Sequence, residues 1–468
     1  MGAWLVCGGC SMTLALGSGF TLVVTEDGDM CSFGRNEFGQ LGLGDTMSQN
    51  SPVFLSRHDS FNSRRVLMAA AGNKFGSCIT DDGSVWTWGH NLYGQLGVHA
   101  YDMAGLFDPQ QISPREFGRS RAAMLACGND FTLVLTEAGH VWSSGSNSFG
   151  MLGHNDAAIC RKKHTFQRID PVCFGGSAVT MVAAGASHCI ANALSNNAVW
   201  TWGLNDSGQL GDGTTDNLGV PFMIPHGAFE NGAVASIHAG HDYSMVVTAA
   251  GGLFSCGNGE CGVLGLGNEL SYSTFQRVGG HNSALFGPRG VRTVACGALH
   301  TIVLAKDGAV WSCGNGSAPG LGTTDGQAPH CLHPTPVDRA LFHNQPVVAV
   351  GAGTTHSAVV TAQGRVYAWG QGRRFQQWAT GVGTNTTEPQ WRPHLITLDP
   401  ATGVRAGRWH KMPKENFMGF VMGTHPRLGE HSDFIDSPVE LMSAIFEQID
   451  FEPRRENGTG FRTMLGFD

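Results

Sequence analysis

Val66-Leu67-Met68-Ala69-Ala70-Ala71-Gly72-Asn73-Lys74-Phe75 leads, after a short β-type run, into Asp82-Gly83-Ser84-Val85-Trp86-Thr87-Trp88-Gly89 and then into Asn91-Leu92-Tyr93-Gly94-Gln95-Leu96-Gly97. An apolar stretch ends on glycine, a ring comes three residues later, and a turn opens a strand that finishes in tryptophan and glycine. Short β-type runs separated by Gly and Asp-Gly turns are the mark of antiparallel strands joined by tight hairpins. Working outward, the glycine recurs as Gly17, Gly72, Gly128, Gly185, Gly240, Gly297 and Gly353, at spacings of 55, 56, 57, 55, 57 and 56 residues. The ring recurs with it, as Phe20, Phe75, Phe131, His188, Tyr243, His300 and His356. The Asn-to-Gly segment has copies from Asn36 to Gly42 and Asn205 to Gly211, and weaker ones from Asn147 to Gly153 and Asn258 to Gly265. Its leucine is expected to plug the gap between neighbouring units.

A repeat this long overrides the usual expectation of about three domains for 468 residues. The chain is 41% hydrophobic and 14% charged, with 67 glycines, which favours a compact, turn-rich fold over disorder. Its formal charge of -8 opposes sequence-independent phosphate binding, so nucleic acid is not the expected partner. No run of 18 apolar residues appears and the first thirty lack the order of a signal peptide, so we expect a soluble intracellular protein, in cytoplasm or nucleus, without a membrane role. Met1-Gly2 is not a myristoylation start, because the sixth residue is Val6. Thirteen cysteines without framework spacing fit reduced thiols acting as small buried hydrophobes.

The Gly-x-x-His, Trp-Gly and Asn-x-x-Gly-Gln-Leu-Gly series resembles the regulator-of-chromosome-condensation repeat over about residues 1 to 400. The resemblance implies an all-β, seven-bladed β-propeller of four-stranded antiparallel blades. Propellers close to avoid an open edge, and the expected closure joins the two ends of the chain. Met12 to Leu16 is expected to complete the blade begun by Ser357 to Gly370, giving a propeller over 1-402. The last copy is degenerate, with Arg373-Arg374-Phe375-Gln376-Gln377-Trp378 in place of Gly-Gln-Leu-Gly. Residues 403-468 form a C-terminal extension expected to dock on the propeller. There Ser437-Pro438-Val439-Glu440 reads as a helix start, and Leu441, Met442, Ile445, Phe446 and Ile449 share one helical face.

The candidates for chemistry are few. Cys7-Gly8-Gly9-Cys10 lacks the second ligand pair that zinc needs and the helical context of a redox dithiol, and Cys7 matches the slot of Cys313 in Trp311-Ser312-Cys313-Gly314. The ring slot accepts Phe in three copies, so His188, His300 and His356 read as packing rings and not as acid-base groups. No nucleophile elbow or phosphate loop is present, and we expect neither enzymatic activity nor a cofactor. The residues left for contacts are Arg161, Lys162, Lys163 and His164 in the third repeat, Arg373, Arg374 and Phe375 in the last, and Arg405, Arg408, Trp409 and Lys411, with His410 and Lys414, in the extension. Two functions follow. One is a non-catalytic scaffold gripping a protein partner through its loops; the other, implied by the resemblance, is nucleotide exchange on a Ran-like small GTPase, with chromatin association. The positions matched to the exchange residues, Ser18, Asn73, Asn129, Ala186, His241, Ala298 and Thr354, contain no acid and no tryptophan. This disfavours exchange and also the light-sensing role of a plant member, while the missing basic arm disfavours nucleosome binding.

Overall fold

The computed structural model describes residues 12–98, 105–156, 161–194, 197–280, 285–315, 330–370, 383 and 390–398. They form seven four-stranded antiparallel sheets, each from one continuous piece of chain in the order first, second, third, fourth strand. In the second blade these strands are Val66–Ala71, Phe75–Thr80, Val85–His90 and Gly105–Ile112. The seven sheets pack in a ring, with the first strand of each against its neighbour and the seventh blade against the first.

The repeat glycine sits in the hairpin between first and second strands. Its N–H donates to the carbonyl of the ring residue three positions on, as from Gly72 to Phe75 at 2.9 Å and from Gly353 to His356 at 2.8 Å. Glycine is needed here for space. A Cβ would lie 2.0 Å from Phe20 Cε1 at Gly17, 2.0 Å from Phe131 Cε1 at Gly128 and 2.1 Å from His188 Cε1 at Gly185. The ring folds back over its own turn, and no side chain fits between.

That hairpin also corrects the expected closure. Thr13–Leu16 pairs with Phe20–Val24, in register Thr13↔Val24 to Leu16↔Thr21, and so belongs to the first blade. The seventh blade takes its fourth strand from Gln390–Ile396, which pairs with Val366–Gly370. A turn as short as Gly17-Ser18-Gly19 leaves antiparallel neighbours no choice but to share a sheet. The first and last blades therefore meet face to face. Leu14, Leu16, Val23 and Phe33 pack with Ala358, Val360, Val366 and Ile396, and Thr354 N–H reaches Gly17 O at 3.4 Å.

The repeat leucines behave as expected: Leu41, Leu96, Leu152 and Leu210 are fully buried. Each is fixed twice. Its N–H donates to the asparagine five residues back (Leu41 to Asn36 Oδ1, 2.9 Å), and its carbonyl accepts from a third-strand hydroxyl (Ser32 Oγ, 2.9 Å). In the second, fourth, fifth and sixth blades the residue before the third-strand glycine reaches back to the preceding blade. Trp88 Nε1 donates to Gln40 O and Trp202 Nε1 to Met151 O, both at 2.9 Å, while Cys256 Sγ contacts Gln209 O and Cys313 Sγ contacts Val263 O, both at 3.6 Å. Tryptophan and cysteine fill five of the seven copies of this slot, with Phe33 and Ser144 in the other two, and each of the five offers a donor on an apolar body. Burial raises the Cys313 thiol to about 12, so it stays protonated.

Candidate functional site

The hairpins between first and second strands and the long segments between third and fourth strands lie on one face. Backbone bonds tie them together: His90 N–H to Lys74 O, Ser146 N–H to Asp130 O and Asn258 N–H to Asp242 O, at 3.0, 2.8 and 2.8 Å. Around the axis the turns hold one another, with Asn129 N–H donating to Ala186 O and Ala186 N–H to His241 O, both at 3.0 Å.

Below this rim lie the repeat rings. His188 Nε2 meets Ser244 Oγ of the next blade at 2.9 Å, Tyr243 OH meets Thr301 Oγ1 at 2.9 Å, and His300 Nε2 meets Ser357 Oγ at 3.0 Å. His356 Nε2 to Thr21 Oγ1, at 3.0 Å, carries the pattern from the last blade to the first. Ser244 spends its own hydrogen on Gln209 O at 2.7 Å, so His188 must donate from Nε2. Its Nδ1 faces the repeat glycine with no partner among the described residues, as do those of His300 and His356. Burial lowers His188 and His300 to about 4 and His356 to about 3, leaving neutral, closed-off rings. They are seams between blades.

The charged groups of this face stand one residue beyond the positions read from the sequence. Asp130 and Asp242 are the second residues after their repeat glycines. Asp130 lies 3.9 Å from His90 Nδ1 and accepts from Gln95 Nε2 at 3.3 Å. Burial raises its carboxyl, against the pull of Lys74, whose ammonium sits 4.2 Å from the centre of the Phe38 ring. His241 Nδ1 pairs with Asp242 Oδ2 at 2.6 Å. That bond raises His241 above its usual value. On Asp242 burial pushes upward, and the bond and charge of His241 reverse the balance, so its carboxyl is lowered. Beside this pair is a cavity of about 280 Å³ bordered by Tyr243, Glu260, Leu299 and Thr354.

Of the basic run in the third repeat, Arg161 and Lys162 are exposed at the start of the strand Lys162–Arg168. Lys163 turns inward and pairs with Asp156 at 2.6 Å, with only 10% of its side chain accessible. His164 packs its backbone against Gly94 of the second blade. Next to them Leu92, Tyr93 and Phe149 are 54%, 38% and 42% exposed, and Lys162 Nζ lies 3.5 Å from Leu92 O. The regular copy number of the Asn-to-Gly segment hid these apolar residues in the sequence, because the variable positions look like any turn filler. Arg373, Arg374, Phe375, Arg405, Arg408, Trp409, Lys411, the Cys7–Cys10 pair and the helix from Ser437 lie outside the described residues. Among the described residues no three metal-ligating side chains cluster, and no helix is long and apolar enough to cross a membrane.

Comparison with known proteins places these features. The RCC1-like domain matches residues 5–284, and the regulator of chromosome condensation (RCC1) repeat matches 291–318, 307–360 and 347–376. The ultraviolet-B receptor UVR8 of Arabidopsis thaliana is 29% identical over 257 residues, 55% of each chain. Mouse protein RCC2 is 29% identical over 311 residues, 62% of this chain and 56% of its own. The mouse E3 ubiquitin-protein ligase HERC2 is 32% identical over 213 residues, 45% of this chain but 4% of the ligase. The chain thus spans about half, or far less, of the curated relatives it matches. Among solved structures, human WBSCR16 superposes with a TM-score of 0.64 at 24% identity, covering 75% of this chain and 86% of that one. Prp20p of Saccharomyces cerevisiae, described with its binding to Gsp1p and histones, gives 0.62 at 23% identity, covering 74% and 81%.

Proposed function

The chain belongs to the regulator-of-chromosome-condensation family of propellers, and on that premise we propose that it is a non-catalytic, intracellular protein-interaction scaffold that grips its partner with the face carrying the repeat turns. One observation carries the reading: Leu92, Tyr93 and Phe149 stand exposed together beside the exposed Arg161 and Lys162. Aromatic residues and arginine are the types concentrated at interface hot spots. Arg373, Arg374 and Phe375, and Arg405, Arg408, Trp409 and Lys411 in the extension, are proposed as further partner contacts.

The test is partner capture from lysate followed by mass spectrometry. Arg161→Glu/Lys162→Glu and Tyr93→Ala/Phe149→Ala should each lose the captured protein while keeping the melting temperature, because exposed substitutions usually change stability by less than about 0.5 kcal/mol. Lys163 is left out of the set, since its reversal breaks the Asp156 pair. Full capture by both variants contradicts the reading. Exchange on a Ran-like small GTPase is the second reading, favoured by Asp130 and Asp242 on this face and by the Gsp1p binding described for Prp20p. It predicts faster release of labelled GDP from such a GTPase with catalytic amounts of the protein.

A further inference from the structure

We propose that the cavity where the turns of the fifth, sixth and seventh blades meet takes an arginine side chain from a partner protein. The inference rests on the reading of this face as a binding surface and names the chemistry one part of it recognises. Size is the first argument. About 280 Å³ is just under the roughly 300 Å³ at which small-molecule sites begin, and it suits one long side chain.

Charge is the second argument. Asp242 and Glu260 both border the cavity, and among the described residues neither lysine nor arginine does. His241 holds Asp242 through Oδ2 alone, leaving Oδ1 without a partner among the described residues. Glu260 is held in place by its backbone N–H, which donates to Asn258 Oδ1 at 2.9 Å, and its carboxylate makes no bond or ion pair among the described residues. Two carboxylate residues thus border one cavity from two segments of one blade. A planar guanidinium with five donors in a fork matches two separate carboxylates better than the single point charge of an ammonium.

The walls supply the third. Val263, Ala298 and Leu299 offer apolar surface for the methylene stem of arginine. The Tyr243 hydroxyl is turned away to His300 O at 2.9 Å and presents no competing donor. With only 26% of its side chain accessible, Asp242 is screened less by solvent than a carboxylate in the open.

The test uses the full chain and two blocked pentapeptides, Gly-Gly-Arg-Gly-Gly and its citrulline counterpart, titrated at millimolar concentrations and followed by NMR. Citrulline keeps the shape and removes the charge. The arginine peptide should bind, and the citrulline peptide should bind about tenfold more weakly, the scale of one hydrogen bond to a charged group. Glu260→Gln and Asp242→Asn should each weaken the arginine peptide by a comparable factor. Glu260 is exposed, so its variant serves if Asp242→Asn disturbs the turn. Equal binding of the two peptides, binding unchanged in both variants, or no binding of the arginine peptide overturns the proposal. Because no partner takes part, such a failure leaves capture through Leu92, Tyr93 and Phe149 to be judged separately.

Discussion

At the residue scale, the ring slot decides both fit and pH response. Phe20, Phe75 and Phe131 are apolar rings, whereas His188, Tyr243, His300 and His356 each face a hydroxyl of the next blade. A polar ring buried at a seam needs a partner, and the neighbouring blade supplies it. The three histidines have folded values near 3 to 4 against 6.5 when unfolded, so the unfolded chain takes up protons first as pH falls. Their contribution is complete above about pH 6.5 and is lost from there down to the folded values, at about 1.4 kcal/mol per pH unit for each histidine. His356→Phe should therefore move the acid-unfolding midpoint to lower pH, with about 1 kcal/mol lost at neutral pH along with the hydrogen bond to Thr21 Oγ1. An unmoved midpoint contradicts the neutral-ring assignment. Gly128→Ala should cost about 1–3 kcal/mol or more in chemical denaturation, since its Cβ collides with Phe131. Gly227→Ala, with nothing within 4 Å, is the control expected to change little.

At the scale of elements, the period was legible in the sequence and the phase was not. Seven glycines and seven rings fix how often the blade recurs, but an apolar run such as Thr13–Leu16 reads the same whether it ends one sheet or starts the next. Only the bond from Gly17 N–H to Phe20 O settles that it starts one. A second regularity went unread although it is plain in the sequence: Phe61, Phe117, Phe174, Phe229, Phe286 and Phe342 each stand 11 residues before a repeat glycine. They sit in the links between blades, and each meets a third-strand ring edge-on, as Phe174 meets Trp200 at 6.0 Å and Phe342 meets Tyr367 at 5.6 Å. The links are otherwise too varied in composition to align by eye. Phe174→Ala should cost about 3–5 kcal/mol by opening a cavity beside Trp200 and Trp202, against little for the exposed Phe149→Ala. Equal melting temperatures for the two would contradict this division of labour. The candidate site was less legible than the fold, because Asp242 and Glu260 meet only when a turn and a loop 18 residues apart are brought to one rim.

Across the whole molecule, the two faces use charge differently. On the face of the hairpins between second and third strands, cations are consumed in holding the blade before them: Arg65 Nε donates to Asp27 O, Arg121 Nη2 to Asp81 O and Lys306 Nζ to Ala249 O, at 2.9, 2.8 and 3.0 Å. The opposite face keeps Arg161, Asp242 and Glu260 at its surface, together with exposed Leu92, Tyr93 and Phe149. Hydrogen–deuterium exchange on the chain alone and on its complex with the captured partner distinguishes the two faces most directly. Exchange should slow on binding across Asn91 to Gly97, Asn147 to Asp156 and Asn258 to Gly262, and stay unchanged at the hairpins Thr25 to Asp29, Thr80 to Ser84 and Thr136 to His140. Slowing confined to those hairpins would place the partner on the wrong face and contradict the account.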